Sequence, residues 1–206
     1  MRCSPGFARE PPRPPRCARG TSRSVHALAL RADRERAVAL VAPGFATLAA
    51  ELGLAGAAEL VYRPRSAAAT PEAFAAELTE RLAGDLERGF TAHGPHRDEL
   101  VLRRDGRDLR VYGSQGEQRL ALLALLLSER EALELERGAP PLLLLDDVMS
   151  ELDAERRERL VARVTRSGQV VVTTTDLTHV PPVPGDTGVV HLGVAGGEVR
   201  EEVPAA

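Results

Sequence analysis

Residues Val111 to Asp153 read VYGSQGEQRLALLALLLSEREALELERGAPPLLLLDDVMSELD, and three signals follow one another along them. The first is Ser114-Gln115-Gly116-Glu117-Gln118 leading into a long apolar-periodic run. Ser114 with Glu117 three residues later is the S-x-x-E pattern of a capping box, so a helix starts there. Its first turn presents unpaired backbone N–H groups, and Gly116 lets a phosphate oxygen approach closely. The second signal is Pro141 followed by Leu142-Leu143-Leu144-Leu145 and then Asp146-Asp147. A short apolar run between turn signals predicts a buried strand of a parallel sheet, with its carboxylates at the edge where α/β sheets bind ligands. The third is Ser150-Glu151-Leu152-Asp153, a polar turn entering another helix that Asp153 caps.

Working outward, Glu99 to Arg104 and Arg107 to Tyr112 are joined by Asp105-Gly106, a strong hairpin signal, so two antiparallel strands are expected before the helix. Upstream lies Gly94-Pro95-His96-Arg97-Asp98, a loop dense in side chains able to contact phosphate or orient a neighbour. Val25 to Gly53 is helical in pattern and is expected as two helices broken at Pro43-Gly44. Glu59 to Arg63 reads as a strand. Thr70-Pro71-Glu72 opens one further helix carrying Phe74, Leu78, Leu82 and Leu86 on one face and stopping near Gly89. Beyond the quoted stretch, Ala154 to Arg166 is a charged helix, Gln169 to Asp176 a buried parallel strand, and Thr187–Val194 with Glu198–Val203 a terminal hairpin around Gly196-Gly197.

At 206 residues and 43% hydrophobic the chain can bury a core. No apolar run approaches the roughly 18 residues of a membrane span, the longest being Leu120 to Leu127. The only cysteines are Cys3 and Cys17, so no disulfide framework is implied and a reducing cytoplasm is the default. All 27 basic residues are Arg, with no Lys anywhere, which excludes a G-x-x-x-x-G-K-[ST] phosphate loop. Residues 1–24 interleave Pro and Arg and are expected to be disordered. A basic nucleic-acid arm and a transit-like peptide are alternatives for that block.

A phosphate-gripping Ser-x-Gly at a helix start, then an apolar strand ending in Asp-Asp, then S-E-L-D, resemble the signature, Walker B and D-loop of ABC-type ATPases. Together with Gly94-Pro95-His96-Arg97-Asp98-Glu99-Leu100, Ser114 to Arg119, and Leu145 to Asp153, they resemble the RecF family of bacterial DNA replication and repair proteins, over roughly Val38 to Val180. The resemblance implies an α/β fold: an incomplete ABC-type ATPase head over 91–206, with a P-loop NTPase-like parallel sheet, plus a helical arm over 25–90. An Arg/Pro-rich start joined to mid-family sequence then points to a truncated or misassigned beginning.

The same resemblance implies ATP and Mg2+ as cofactors, shared with a partner subunit. Asp146 is the magnesium carboxylate, and Asp147 stands where most ABC ATPases place a catalytic Glu. Ser114, Gln115, Gly116, Glu117 and Gln118 serve a partner's nucleotide, beside Asp153 of the D-loop. Thr175 occupies the place of the γ-phosphate histidine, and His96, Arg97 and Asp98 form a nucleotide-proximal loop. The implied partners are single-stranded or gapped duplex DNA, a second copy in an ATP-dependent homodimer, and recombination mediator proteins, in recombinational repair and the SOS response. Arg103, Arg104, Arg107 and Arg110 are candidates for a DNA-facing surface. A non-enzymatic fragment that pairs with a separate N-terminal half is the alternative reading. An SMC-like or transporter-type head is another, although long heptads and an L-S-G-G-Q signature are both missing.

Overall fold

The computed structural model describes residues 16–183, 185 and 188–202. Arg16–Glu51 is one helix (α1), not two, with Pro43 inside it. Pro43 removes one backbone donor but leaves its carbonyl in use, since the Thr47 hydroxyl donates to it at 3.2 Å. The helix also takes in residues 16–24, expected to be disordered: no proline falls between Pro15 and Pro43 to stop it. The rest of that block lies outside the described residues.

After α1 come β1 (Ala58–Arg63), α2 (Pro71–Glu80), α3 (Leu82–Arg88), β2 (Glu99–Arg104) and β3 (Arg107–Asp108). Thr70 caps α2 with Pro71 in the first turn, as its sequence dictates. The single helix expected from Thr70 to Gly89 is broken at Arg81, and Leu82 and Leu86 are exposed, leaving Phe74 as the buried member of that stripe. Strands β1, β2 and β3 form one sheet in that order, with β2 and β3 antiparallel. Asp105 at φ 50° and Gly106 at φ 74° turn the hairpin, both in the left-handed region that a two-residue turn of this twist needs. Strand β3 is shorter than expected. Asp108 accepts from the Arg110 amide and starts a short helix, α4 (Leu109–Tyr112), so Leu109 is buried as a helical residue. Gly113 then lets the chain pass close to α4: a Cβ there would lie 2.6 Å from the Leu109 carbonyl oxygen.

The remaining elements are α5 (Gln115–Arg137), β4 (Leu143–Asp146), α6 (Ala154–Val164), β5 (Val170–Thr173), β6 (His191–Ala195) and β7 (Glu198–Glu202). The chain packs as two compact units. One takes in the described residues up to Ala39 with Val61–Val101, the other Leu40–Leu60 with the chain from Leu102 onward.

The core of the second unit draws Phe45, Leu48, Ala49 and Leu52 from α1, Leu120, Ala121, Ala124 and Leu127 from α5, and Leu160, Val161 and Val164 from α6. Gly44 permits the close approach of α1 to α5, since a Cβ there would lie 3.3 Å from Ser128 Cβ. Strands β4 and β5 pair in parallel, Leu143 opposite Val170 through Asp146 opposite Thr173. Their burial corrects the expectation of strands covered on both faces. Leu143 and Leu145 are buried, whereas Leu142, Leu144 and Val171 are exposed. The C-terminal hairpin forms as read, with β6 and β7 antiparallel and Val194 opposite Val199.

Candidate functional site

In the second unit the site residues are set by one helix start and two strand ends. At the start of α5 both halves of the capping box are present. Ser114 Oγ accepts from the Glu117 amide at 3.3 Å, and Glu117 Oε2 accepts from the Ser114 amide at 2.9 Å. Glu117 also pairs with Arg104 of β2. The Ser114 amide, then the Arg104 guanidinium, hold the Glu117 carboxyl below its usual range. Gln118 Nε2 donates to the Gly113 carbonyl at 3.0 Å and ties the helix start to the preceding turn. The Gln115 and Gly116 amides lie in the first turn, where a helix offers no carbonyl four residues back. The space in front of Gly116 is open, since the nearest group to a Cβ there would be the Arg156 guanidinium at 3.8 Å.

At the ends of the parallel strands, Thr173 Oγ1 donates to Asp146 Oδ1 and accepts from the Asp147 amide at 3.1 Å. The hydroxyl is thereby oriented, and one oxygen of Asp146 is committed to it. Asp147 leaves the strand at φ 48°, a conformation that Asp tolerates better than most side chains. It turns the chain into a 3-10 turn, Val148–Glu151, in which Ser150 Oγ donates to the Asp147 carbonyl at 2.9 Å and Arg157 Nε to the Met149 carbonyl at 2.7 Å. Asp153 caps α6 through the Arg156 amide at 2.9 Å and pairs with the Arg156 guanidinium at 3.2 Å. Thr175, two residues past β5, is exposed. Asp176 closes this loop by accepting from the Thr178 hydroxyl at 2.7 Å and amide at 2.9 Å.

His96, Arg97 and Asp98 belong to the first unit, and each has a partner inside it. Asp98 is the acceptor of three donors: Arg34 Nη1 at 3.1 Å, the Tyr62 hydroxyl, and the Arg65 amide at 2.8 Å. Its side chain is 5% exposed. His96 Nε2 lies 2.9 Å from the Thr91 carbonyl oxygen, and the Arg97 guanidinium sits 5.0 Å above the Phe90 ring.

No protein-family model matches the chain. Curated relatives do. The chain is 47% identical over 136 residues to the DNA replication and repair protein RecF of Anaeromyxobacter sp. strain Fw109-5, covering 62% of this chain and 37% of that protein. It is 46% identical over 154 residues to RecF of Myxococcus xanthus, covering 70% and 40%. A solved structure of the recombination mediator protein RecF-ATP superposes with a TM-score of 0.72 at 27% identity, over 89% of this chain.

The chain belongs to the RecF family. It spans about two-fifths of the length of these curated RecF relatives and 49% of the solved RecF-ATP chain. The fold is accordingly α/β and is shared with the solved RecF-ATP structure over 89% of this chain. Within it Asp146 ends β4 with Asp147 as the next residue, Ser114 caps α5, and Asp153 caps α6. Three residues that the sequence reading passed over take part. Thr173 binds Asp146, Arg119 Nη2 lies 2.8 Å from Glu151 Oε1, and Arg156 flanks Gly116. Only Thr173 had a sequence signal, as the hydroxyl ending an apolar strand. The ion pairs depend on packing between elements.

Among the described residues no helix is long and apolar enough to cross a membrane.

Proposed function

We propose that this chain supplies one half of a RecF-type composite ATP site, in a protein that uses ATP-gated pairing of heads to bind single-stranded or gapped duplex DNA in recombinational repair, the damage response and replication in the cytoplasm. The observation that carries the reading is the parallel register placing Asp146 beside Thr173 at the ligand edge of β4 and β5. One oxygen of Asp146 accepts from Thr173, which leaves the other for a cation. Among the described residues no group of three or more carboxylate, His or Cys side chains converges. Magnesium held by a single carboxylate, water and phosphate oxygens fits that arrangement, and it would neutralise charge on the phosphates. Asp147, the next residue, would orient a water. Its short side chain suits a slow switch.

In this reading Ser114 Oγ accepts from the Glu117 amide and keeps its O–H to donate to a phosphate oxygen. The Gln115 and Gly116 amides, in open space beside Arg156, receive the γ-phosphate of a nucleotide held by a partner subunit. Asp153 and Thr175 approach the same phosphate from the D-loop and the end of β5. The phosphate-gripping lysine comes from polypeptide outside this sequence, which contains none. A second copy of the head and recombination mediator proteins are the partners this reading requires.

The test uses the chain assembled with a RecF half that bears a phosphate loop. Ser114→Arg should leave ATP binding intact and abolish ATP-dependent dimerisation, read by light scattering with and without ATP. Mixing Ser114→Arg with Asp146→Asn should restore partial ATPase, since one composite site of the mixed dimer carries neither lesion. Loss of ATP binding by the Ser114→Arg monomer would show that the helix start serves its own nucleotide and overturn the assignment.

A further inference from the structure

Three threonines, Thr173-Thr174-Thr175, follow one another at the ligand edge of β5, and their hydroxyls are used differently. The Thr174 hydroxyl stays within its own loop, donating to the Asp176 carbonyl at 3.0 Å and accepting from the Asp176 amide at 3.2 Å. Thr175 is exposed. Thr173 stands directly opposite Asp146 in the parallel register, and its hydroxyl crosses to the neighbouring strand. A carboxylate only accepts, so the hydroxyl donates its single proton to Asp146 Oδ1 and takes the Asp147 amide at 3.1 Å on a lone pair. That amide also donates to the Thr173 carbonyl at 3.1 Å. Both functions of the hydroxyl are in use, and branching at Cβ restricts its side-chain torsion, so its direction is set. Asp146 Oδ2 accepts no hydrogen bond from the described residues, and none of their arginines pairs with it.

We propose that Thr173 is a specificity-determining positioning residue for the cation at Asp146: its hydroxyl holds Asp146 to coordination through one oxygen and so favours magnesium over calcium. The inference rests on the composite-site reading above, in which Asp146 is the magnesium carboxylate. Magnesium demands a near-octahedral shell, keeps several waters and needs only one oxygen from a carboxylate. Calcium takes roughly six to eight oxygens and gains from a carboxylate that chelates through both of its own. With a proton seated on Oδ1, Asp146 offers Oδ2 alone. A cation drawn to both oxygens has to displace the Thr173 hydroxyl, and with it one acceptor of the Asp147 amide. An O–H bond to a carboxylate is among the stronger hydrogen bonds a side chain makes, so the cost of displacing it falls on calcium and spares magnesium. The amide belongs to a residue at φ 48°, so the same hydroxyl also steadies the turn that carries the second carboxylate. The next hydroxyl cannot take over this part, because Thr174 is engaged with Asp176.

The test titrates the full chain with magnesium chloride and, separately, with calcium chloride, following the backbone amide shifts of residues 146, 147 and 173 by NMR. Both responses should be lost in Asp146→Asn. Thr173→Val keeps the branch at Cβ and removes the hydroxyl, and Thr173→Ala removes both. In each, the ratio of calcium to magnesium affinity should rise about threefold or more. Thr173→Ser restores the donor and should keep the ratio of the parent. Residue 173 is exposed, so Thr173→Val should keep the melting curve of the parent by circular dichroism. A merely structural role would lower both affinities together and leave their ratio alone. An unchanged ratio in Thr173→Val and Thr173→Ala overturns the proposal and leaves Asp146 as the cation carboxylate. A raised ratio that persists in Thr173→Ser overturns it as well, since the hydroxyl is then not the cause. Shifts that survive Asp146→Asn, or no shift with either cation, remove the cation from Asp146 and sink the composite-site assignment together with the proposal.

Discussion

Arg119 Nη2 lies 2.8 Å from Glu151 Oε1, joining the start of α5 to the 3-10 turn that follows β4. Both side chains are close to half exposed, so the pair contributes little to stability, about 0.5 kcal/mol. Its consequence is positional: it ties the start of α5 to the turn after β4. A double-mutant cycle of Arg119→Ala and Glu151→Ala in urea should return that small coupling. Hydrogen exchange over residues 150–153 should speed up in either single variant and recover in the Arg119→Glu, Glu151→Arg swap. A swap that leaves exchange fast would show that the contact does not hold the turn.

Ser114→Ala removes the acceptor for the Glu117 amide. The expected cost is about 1 kcal/mol, seen as a lower urea midpoint with an unchanged slope. Ser114→Asp should retain most of the stability, because it offers an oxygen at the same place and a negative charge at the helix N-terminus. Equal midpoints for Ser114→Ala and the parent would mean that packing of α5 alone fixes its start.

The pH dependence of Glu117 has a definite sign. Its folded carboxyl is held low by the Ser114 amide and Arg104, so the ionised form favours the folded state. That stability is fully present above the unfolded glutamate value, about 4.3, and is lost as pH falls through the lower folded value. The gap in melting temperature between the parent and Glu117→Gln should therefore be widest near neutral pH and narrow below about pH 4. A gap constant down to pH 2.5 would dissociate the carboxylate charge from the cap.

Asp98 has a 5% exposed side chain and accepts from Arg34, Tyr62 and the Arg65 amide. Asp98→Ala leaves those donors unmatched and should cost about 3 kcal/mol. Asp98→Asn keeps the shape and one acceptor oxygen and should cost less. Chemical denaturation orders the three chains. A near-neutral Asp98→Ala would remove the fastener role and leave the loop free for ligand contact.

The purified chain should not hydrolyse ATP, because it has no lysine to hold the β and γ phosphates. Phosphate release above buffer that depends on magnesium and disappears in Asp146→Asn would contradict this directly.

The sequence alone determined the features that rest on local chemistry. Ser114 and Glu117 dictate a capping box, Asp105-Gly106 a two-residue turn, Thr70-Pro71 a helix start, and Leu142 to Asp147 a strand that ends in carboxylates. These signals lie within a few residues of one another, so no distant partner is needed to produce them. Tertiary structure decided the rest. Pro43 proved compatible with a continuous α1, because Phe45, Leu48, Ala49 and Leu52 are buried beyond it and packing outweighs one missing hydrogen bond. Asp98 became a buried acceptor only when Arg34 and Tyr62, 64 and 36 residues away in the chain, were brought to it. The choice of Thr173 for Asp146, 27 residues apart, came from strand register, and the choice of Glu151 for Arg119 from packing between elements. Apolar composition says that Leu142 to Leu145 belong in a sheet, but which alternate side chains are covered depends on the neighbours present. Here that leaves Leu144 and Val171 facing outward on the same face as Asp146.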